Sequence, residues 1–201
     1  MTKERVRHVL NVGGNNRSIP LPPQYAGWEQ IVLDVDPRGE PDLVWDAREL
    51  SKLAPHLYDA VYCSHNLEHY HRHEVPRVLA GFLHVLRPGG FAHIRVPDMG
   101  ELMRTVVAKE LDIDDFLYES PAGPITVRDV IYGYAAEIEH SGNDFYAHKT
   151  GFTVKSLTAA LLASGFTRAY THTRDLEIVA VAFAGEPDDY ARRLWGLPAG
   201  E

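Results

Sequence analysis

Residues 65–69 read HNLEH, which places two histidines and a glutamate within five positions. The pattern H-x-x-E-H is an inverted form of the zinc-protease motif, in which imidazoles one helical turn apart bind one metal ion. A zinc site needs a third protein ligand, and Glu137 and Glu139 are candidates, 68 and 70 residues beyond His69. The chain has eleven histidines, so a motif with three fixed positions arises easily without a metal. Zinc hydrolysis is therefore an alternative, and we expect no metal site.

The elements around this motif predict an α/β fold. Apolar runs that end at turn residues predict strands over 6–12, 31–35, 42–45, 59–64, 91–96, 166–171 and 176–183. Apolar spacing predicts helices over 74–86 and 154–163, the second ended by Gly165. Asp98 and Glu101 predict a capping box for a helix that runs to about residue 111. Alternating strands and helices indicate a doubly wound, mostly parallel, seven-stranded sheet with helices on both faces.

Length and charge limit the classes of protein. The 201 residues suggest one domain over 1–201, and residues 112–150 interrupt the alternation, which predicts a lid or substrate-binding insertion before the last two strands. A net charge of −8 opposes nucleic-acid binding. The sequence has no apolar run of about 18 residues, so we expect no membrane insertion. Cys63 is the single cysteine, and a cytoplasmic location is expected.

Residues suited to ligand binding stand where the first four predicted strands end. In doubly wound sheets, ligands bind beyond the carboxyl ends of the strands. The glycines of 10–15 (LNVGGN) let backbone approach a ligand closely. Asp34 ends the second strand 21 residues after Gly13, where a carboxylate can accept hydrogen bonds from both hydroxyls of a ribose. The segments 45–47 (WDA) and 63–65 (CSH) complete this edge.

With these segments in view, the chain resembles the class I S-adenosylmethionine-dependent methyltransferases. The resemblance runs from about residue 6 to residue 183 and is carried by VLNVGG, IVLDVDP, VWDA, YDAVYCSHNLEH and VLRPGGFAHIRVPD. It implies S-adenosyl-L-methionine as cofactor and methyl transfer to oxygen or nitrogen. An LEH sequence after the fourth strand is common in such relatives, which gives residues 67–69 an origin other than zinc binding.

The resemblance also implies a role for each cofactor-side position. Asp34 would bind the ribose hydroxyls, with Asp36 as the second candidate, while Asp46 and the N–H of Ala47 would meet the adenine. The glycine loop would lie against the methionine and ribose part of the cofactor, and the exit of the fourth strand would line the floor near the reactive methyl group. These two segments contribute Asn11, Gly13, Gly14, Asn15, Ser64 and His65.

The chain departs from the family pattern after the first strand. The usual Gly-x-Gly-x-Gly is replaced by residues 13–17, GGNNR, and three prolines follow within residues 20–23. Prolines at this spacing exclude the interior of a long helix, so a loop or one short turn is expected. Asn15 tolerates a positive φ better than most residues. Arg17 is then the candidate to pair with the cofactor's carboxylate in place of a helix N-terminus.

The acceptor side is predicted from polar residues near the motif and in the insertion. His65, His69 and His148 are the candidate general bases, in that order. The candidate substrate residues are Tyr132, His140, Tyr146 and His148. A small-molecule or glycan-type acceptor is expected from the small, acidic chain and from a looser resemblance of residues 148–157 to small-molecule and glycan-precursor methyltransferases. A homodimer is possible for such folds.

Two further alternatives remain open. A non-catalytic methyltransferase-like binding or scaffold protein would explain the altered glycine loop. A nicotinamide-dependent oxidoreductase would share the sheet, but its G-x-G-x-x-G is missing. Ordinary structural roles are expected for Asp59, which would hydrogen-bond neighbouring loop amides, and for Cys63, a small buried residue. His71 and His73 are expected to face solvent from a helix.

Overall fold

The computed structural model of the protein describes residues 5–15, 17, 19–121 and 123–197. Asn16 and Ser18 of the predicted glycine loop and proline segment lie outside the described residues. Nine strands are described: β1 (His8–Val12), β2 (Glu29–Asp34), β3 (Leu43–Val44), β4 (Tyr58–Ser64), β5 (Leu86–Pro97), β6 (Phe116–Ser120), β7 (Gly123–Thr126), β8 (Arg168–Arg174) and β9 (Glu177–Phe183). Six α-helices are described: α1 (Val75–Val85), α2 (Met99–Lys109), α3 (Val127–Tyr132), α4 (Ala135–Ser141), α5 (Val154–Ala163) and α6 (Asp189–Trp195).

Seven strands form the main sheet, in the order β3-β2-β1-β4-β5-β9-β8. The first five strands are parallel, whereas β9 runs antiparallel to both β5 and β8. The strand order reverses between β1 and β4, which is where ligands bind in sheets of this kind. The predicted fold class, mostly parallel with seven strands, is confirmed.

One face of the sheet is covered by α1, α5 and a 3-10 helix at Ala47–Lys52. The apolar positions that predicted α1 are its buried residues, among them Val78, Leu79 and Phe82, each fully buried. The helix begins and ends one residue inside the predicted range, and α5 matches its predicted bounds. The 3.6-residue period therefore identified the helices that pack on this face.

The other face has a thinner cover. In the described residues between β1 and β2, the helical structure is a single 3-10 turn, Pro23–Tyr25, as the prolines predict. Tyr25 and Trp28 pack on this face together with α6, a helix that the sequence did not predict. Asp188 caps the start of α6 and Gly196 ends it in the left-handed conformation. These two residues were the missed signals.

The connection between α2 and α5 has structure of its own. Asp98 caps α2 by accepting hydrogen bonds from the N–H groups of Gly100 and Glu101. After α2, β6 and β7 pair as an antiparallel hairpin, and α3, α4 and a 3-10 turn at Asp144–Tyr146 follow. Of the helices in the described part of the chain, none has the length and apolar composition of a membrane span.

Candidate functional site

The loop after β1 is bound to the end of β2 through Asp34. The N–H of Asn15 donates to Asp34 Oδ2 at 2.8 Å, and the N–H of Asp36 donates to Oδ1 at 2.9 Å. Gly13 also donates its N–H to the carbonyl of Leu33. Asn15 adopts a φ of 49°, the left-handed conformation expected for an asparagine in place of glycine. Hydrogen bonds to the end of β2 therefore fix the conformation of this loop.

The Asp34 carboxylate keeps capacity to bind a ligand. An ionised carboxylate has about four acceptor sites, and each Asp34 oxygen accepts one backbone hydrogen bond. The remaining lone pairs can accept hydrogen bonds from two neighbouring hydroxyls. Asp34 also holds the turn at Asp36 through the hydrogen bond to Oδ1, and this structural role is compatible with ligand binding.

Two glycines allow asparagine side chains to approach this loop. A Cβ on Gly13 would lie 2.3 Å from Nδ2 of Asn66, and a Cβ on Gly14 would lie 2.4 Å from Nδ2 of Asn11. Among the described residues, the buried Asn66 Oδ1 has no hydrogen-bond partner. Because an unpaired buried amide oxygen is costly, it fits an N–H or hydroxyl of a ligand. Asn66 was missed from the sequence, and its position directly after His65 was the available signal.

Asp36 and Asp46 are each paired with an arginine two residues further on. Asp36 accepts from the backbone and side chain of Arg38, and these hydrogen bonds lower its pKa. Burial alone would raise the pKa of Asp46, but the side-chain and backbone hydrogen bonds of Arg48 outweigh burial and lower it. Both carboxylates are therefore ionised acceptors at neutral pH. Ala47 is buried directly after Asp46, and as the first residue of a 3-10 helix its N–H has no acceptor within that helix.

Arg17 and Ser64 occupy opposite sides of this edge. The Arg17 guanidinium pairs with Asp42, and this hydrogen bond raises its pKa. In this arrangement Arg17 is engaged beside β3, so its inferred pairing with a cofactor carboxylate would require the ion pair with Asp42 to open. Ser64 is the last residue of β4, half-buried beside Arg95 on β5.

His65 links the exit of β4 to β5 and β9. Its Nε2 lies 2.7 Å from Glu177 Oε1, and its Nδ1 lies 3.5 Å from Glu68 Oε1. Glu177 also accepts from the Arg95 guanidinium at 2.7 Å. Desolvation opposes protonation, but the carboxylates of Glu177 and Glu68 outweigh it and raise the pKa of His65 to about 9. His65 is therefore a cation at neutral pH, a charge that disfavours its predicted role as first-choice base.

His69 and His148 lie around the same buried carboxylate, Glu68. The two imidazole rings are 5.0 Å apart in an edge-on arrangement, and His148 Nε2 lies 4.0 Å from Glu68 Oε1. His148 Nδ1 lies 2.9 Å from the carbonyl of Val130, so a proton on Nδ1 leaves Nε2 with a free lone pair. Burial is the main cause that lowers the pKa of His148, which is therefore neutral at pH 7. The three predicted histidines thus share one site.

The end of the insertion is docked on this site, and its other predicted residues spread outward. The N–H groups of Lys149 and Thr150 donate to the carbonyl of Glu68 at 2.8 and 3.1 Å. Tyr146 is half-buried, and burial followed by the nearby Asp36 carboxylate raises its pKa. The side chain of Tyr132 is 56% exposed and its carbonyl accepts from the N–H of His148, whereas His140 is exposed at the end of α4.

Asp59 and Cys63, for which structural roles were expected, have surroundings that fit those roles. Asp59 accepts from the guanidinium groups of Arg5 and Arg87 and from the N–H of His8. These contacts join the starts of β1, β4 and β5, at the end of the sheet away from the glycine loop. Cys63 is fully buried, and burial raises the pKa of its thiol. His71 and His73 are exposed and stack on each other, in the turn before α1 rather than in a helix.

The residues that could bind a metal ion differ from those that the sequence suggested. In the described part of the chain, the group of possible ligand atoms within 4.8 Å of one another consists of Glu68, His69 and His148. Glu137 and Glu139, on α4, are not in this group. His65 is also outside it, because its ring is paired with Glu177. The predicted third ligands are therefore wrong.

An open cavity of about 460 Å³ lies beside Glu177, on the side of β9. It lies between α2, β6 and the turn that joins β8 to β9, and Glu177 is part of its lining. Glu177 also pairs with His65, so this cavity and the histidine cluster meet at one ion pair. Its lining is mostly charged, unlike the largely apolar lining of most small-molecule sites.

Comparison with known proteins supports the family inferred from the sequence. Residues 31–94 match a family model described as a methyltransferase domain. A search of curated proteins finds no match. Among solved structures, a SAM-dependent methyltransferase from Archaeoglobus fulgidus is 16% identical, with 88% of this chain and 86% of that chain covered and a TM-score of 0.55.

Two further solved structures have similar scores. A SAM-dependent methyltransferase from Methanosarcina mazei is 19% identical, with 88% of this chain and 92% of that chain covered and a TM-score of 0.53. A protein from Pyrococcus horikoshii OT3 is 14% identical, with 90% and 84% covered and a TM-score of 0.58. At these identities the similarity establishes the fold, while the family model gives the match in sequence over β2 to β5. The chain is therefore similar in sequence to methyltransferase domains over residues 31–94, and it has the fold of these solved structures over nearly its whole length.

Proposed function

We propose that this chain binds S-adenosyl-L-methionine at the edge formed by β1, β2 and β3 and transfers its methyl group to an oxygen or nitrogen of a small-molecule or glycan-type acceptor. The observation that carries the proposal is the Asp34 carboxylate, which binds the glycine loop through one hydrogen bond to each oxygen and keeps further acceptor capacity. Asn66 Oδ1 supplies a second unsatisfied acceptor at the same loop. These acceptors fit the ribose hydroxyls and a neighbouring amino group of the cofactor, which are donors.

The bound cofactor supplies a methyl carbon activated by a sulfonium, so the protein's task is to align the acceptor and exclude water. Asp34 and Asp46 fix the nucleoside end, with Asp36 and Ala47 beside them, and Ser64 and His65 form the floor. Holding two reactants in line lowers the barrier by up to roughly 7–11 kcal/mol. The insertion over 112–150 serves as the lid, since its last residues dock on Glu68.

The histidine cluster takes the acceptor's proton, and His148 replaces His65 as the first candidate for the general base. Its Nε2 carries the lone pair, because Nδ1 donates to the Val130 carbonyl. His65 serves instead as a cation that orients Glu177 at the cavity wall. Tyr146, near Asp36, remains a candidate substrate residue, and His140 and the exposed Tyr132 are weaker ones.

The substrate class rests on charge and on the cavity. A chain with a net charge of −8 repels nucleic acid at long range, and the cavity beside Glu177 offers charged side chains of both signs to a polar small molecule. The single, buried Cys63 fits a reducing compartment, which supports a cytoplasmic protein. A homodimer remains a prediction.

A calorimetric titration with S-adenosylhomocysteine tests cofactor binding. We expect the wild type to bind and Asp34→Ala to bind at least about 30-fold more weakly, because two hydrogen bonds to a charged group are lost. Asp34→Asn keeps the shape of the side chain if Asp34→Ala misfolds. Asp189→Ala, an exposed aspartate on α6, is the matched control and should bind normally. Equal affinity of all three variants would refute the assigned ribose contact.

A non-catalytic binding protein is the second candidate, favoured by one observation. Arg17 pairs with Asp42, and the described residues between β1 and β2 supply a 3-10 turn in place of an α-helix for the cofactor's carboxylate. Methyl transfer from labelled cofactor to a panel of hydroxyl and amine acceptors separates the two functions. Binding without transfer to any acceptor would favour this second candidate, whereas labelled product would establish the enzyme.

A further inference from the structure

We propose that Glu68, His69 and His148 bind a divalent transition-metal ion such as Zn²⁺. One ligand atom from each residue lies within 4.8 Å of the other two. Glu68 and His69 belong to the 3-10 turn Leu67–His69, and His148 follows the 3-10 turn Asp144–Tyr146 in the insertion. The site therefore joins two segments that are 79 residues apart in the sequence.

The strongest evidence is the unsatisfied carboxylate of Glu68. This residue is only 1% exposed, and neither of its oxygens has a hydrogen-bond partner within the described chain. The His65 cation forms an ion pair with Oε1 at 3.5 Å and His148 Nε2 faces the same oxygen at 4.0 Å, which leaves Oε2 without any close partner in the described chain. A buried carboxylate without hydrogen bonds is strongly destabilising. A cation within coordination distance would satisfy it.

The outer hydrogen bonds of both histidines resemble those of metal ligands. A ligating histidine usually donates its other ring N–H to a carbonyl or carboxylate. His148 Nδ1 lies 2.9 Å from the carbonyl of Val130, and His69 Nδ1 lies 3.1 Å from the carbonyl of Ala147. His69 Nε2 also lies 3.2 Å from the carbonyl of His65, a contact that it would give up on binding the ion.

The donor set indicates the class of ion. Two neutral imidazoles and one carboxylate suit Zn²⁺ and related first-row ions, not Mg²⁺ or Ca²⁺, which prefer oxygen ligands. Ligands about 2.1 Å from a tetrahedral ion lie roughly 3.4 Å apart, so side-chain rotations must close gaps of up to 4.8 Å. Three protein ligands leave a fourth position for water or an acceptor atom.

The site differs from the zinc-protease arrangement suggested by the motif. His65, the first histidine of H-x-x-E-H, pairs with Glu177 and contributes no ligand. The ion would also bind His148 Nε2. His148 therefore cannot act as a base while the ion is bound, and the two roles belong to two states of one site. In the metal-bound state the ion would hold the end of the insertion to the turn after β4.

Titration of chelator-treated protein tests the proposal. We expect the wild type to take up one equivalent of Zn²⁺ by calorimetry and one of Co²⁺, with the visible ligand-field absorption of an ordered Co²⁺ site. His148→Gln and Glu68→Gln should each weaken this equivalent at least about 100-fold, since each removes a ligand. The double variant of His71→Gln and His73→Gln removes two exposed histidines and should keep the site.

Several outcomes would overturn the proposal. These are the absence of a wild-type equivalent, its survival in both His148→Gln and Glu68→Gln, or its loss in the His71/His73 variant, which would indicate adventitious surface binding. Far-UV circular dichroism identifies a misfolded variant, and His148→Gln serves if Glu68→Gln does not fold. Asp34→Ala should keep the metal equivalent while it loses S-adenosylhomocysteine, so failure of the metal site and failure of the proposed function are separable.

Discussion

His65, directly after β4, and His93, on the neighbouring strand β5, differ in charge at neutral pH. His65 follows β4 at the ligand-binding edge, where Glu177 and Glu68 raise its pKa to about 9. His93 lies within β5 on the face covered by α6, only 3% exposed, and desolvation followed by the charge of Arg95 lowers its pKa to about 3. The first is a cation held by carboxylates, and the second is a neutral ring.

The difference between the two regions lies in their polar partners. Around His93 the neighbours are aromatic, with the rings of Trp195 and Tyr62 at 4.6 and 5.0 Å and the Tyr25 hydroxyl 3.2 Å from Nδ1. Around His65 two carboxylates lie within 3.5 Å. Burial against aromatic rings makes a histidine part of the core, whereas ionised partners make it part of a site.

The largest expected effect is on stability in mild acid. The pKa of His93 falls from 6.5 in the unfolded chain to about 3 in the fold, so the stability is full above pH 6.5 and is lost as the pH falls toward 3. The slope is about 1.4 kcal/mol per pH unit, or about 2 kcal/mol between pH 6.5 and 5, where carboxylates with ordinary pKa values titrate little. Urea unfolding at several pH values measures it.

The variant His93→Phe provides the comparison for this effect. Phenylalanine keeps the aromatic packing and cannot be protonated, so the variant's stability should change by about 2 kcal/mol less than that of the wild type between pH 6.5 and 5. A difference in unfolding free energy between the two proteins at pH 6.5 does not affect the test, because only the change of each free energy with pH is compared. Equal slopes would mean that His93 is protonated in the folded protein and that the contrast with His65 is wrong.

The sheet was predictable because each strand carries its own signal. The strands of the main sheet lie within three residues of their predicted starts and ends, except that β5 begins five residues before its predicted start, and α1 and α5 follow their apolar periods. The insertion was predicted as a segment but not as β6, β7, α3 and α4, because four-to-seven-residue elements give too little periodicity. The same reason explains why α6 was missed, although Asp188 and Gly196 bracket it.

Only the part of the candidate site that lies at the ends of strands could be predicted from the sequence. Asp34 and the glycine loop follow from the parallel topology, which brings the ends of β1 and β2 together. The contact of Glu68 with His148 depends on how the insertion docks, and spacing pointed to Glu137 and Glu139 instead. Glu177, the partner of His65, comes from the last strand and has no local motif to identify it.

Removal of the Tyr25 hydroxyl should have the second largest effect. In Tyr25→Phe the ring remains in the core, but His93 Nδ1 loses its partner at 3.2 Å. We expect a loss of about 1 kcal/mol, or roughly 2–4 °C in Tm for a chain of this size. Tyr118→Phe, at a partly exposed tyrosine on β6, is the control and should unfold at the wild-type temperature. An unchanged Tm for Tyr25→Phe would show that this hydrogen bond does not contribute.

The smallest effect on stability is expected at His65. Its raised pKa contributes stability that is present below pH 6.5 and is lost as the pH rises through about 9, but the side chain is 51% exposed, so screening limits the contribution to under about 1 kcal/mol. The pKa itself is the sharper measurement. In Glu177→Gln it should fall, because one of the two carboxylates is neutralised, and an NMR titration of the metal-free protein follows the ring. Glu186→Gln, which neutralises the partner of Arg168, should leave it unchanged. If His65 keeps its pKa in Glu177→Gln, the buried Glu68 alone is sufficient to hold the charge, and the contrast with His93 depends on that single carboxylate.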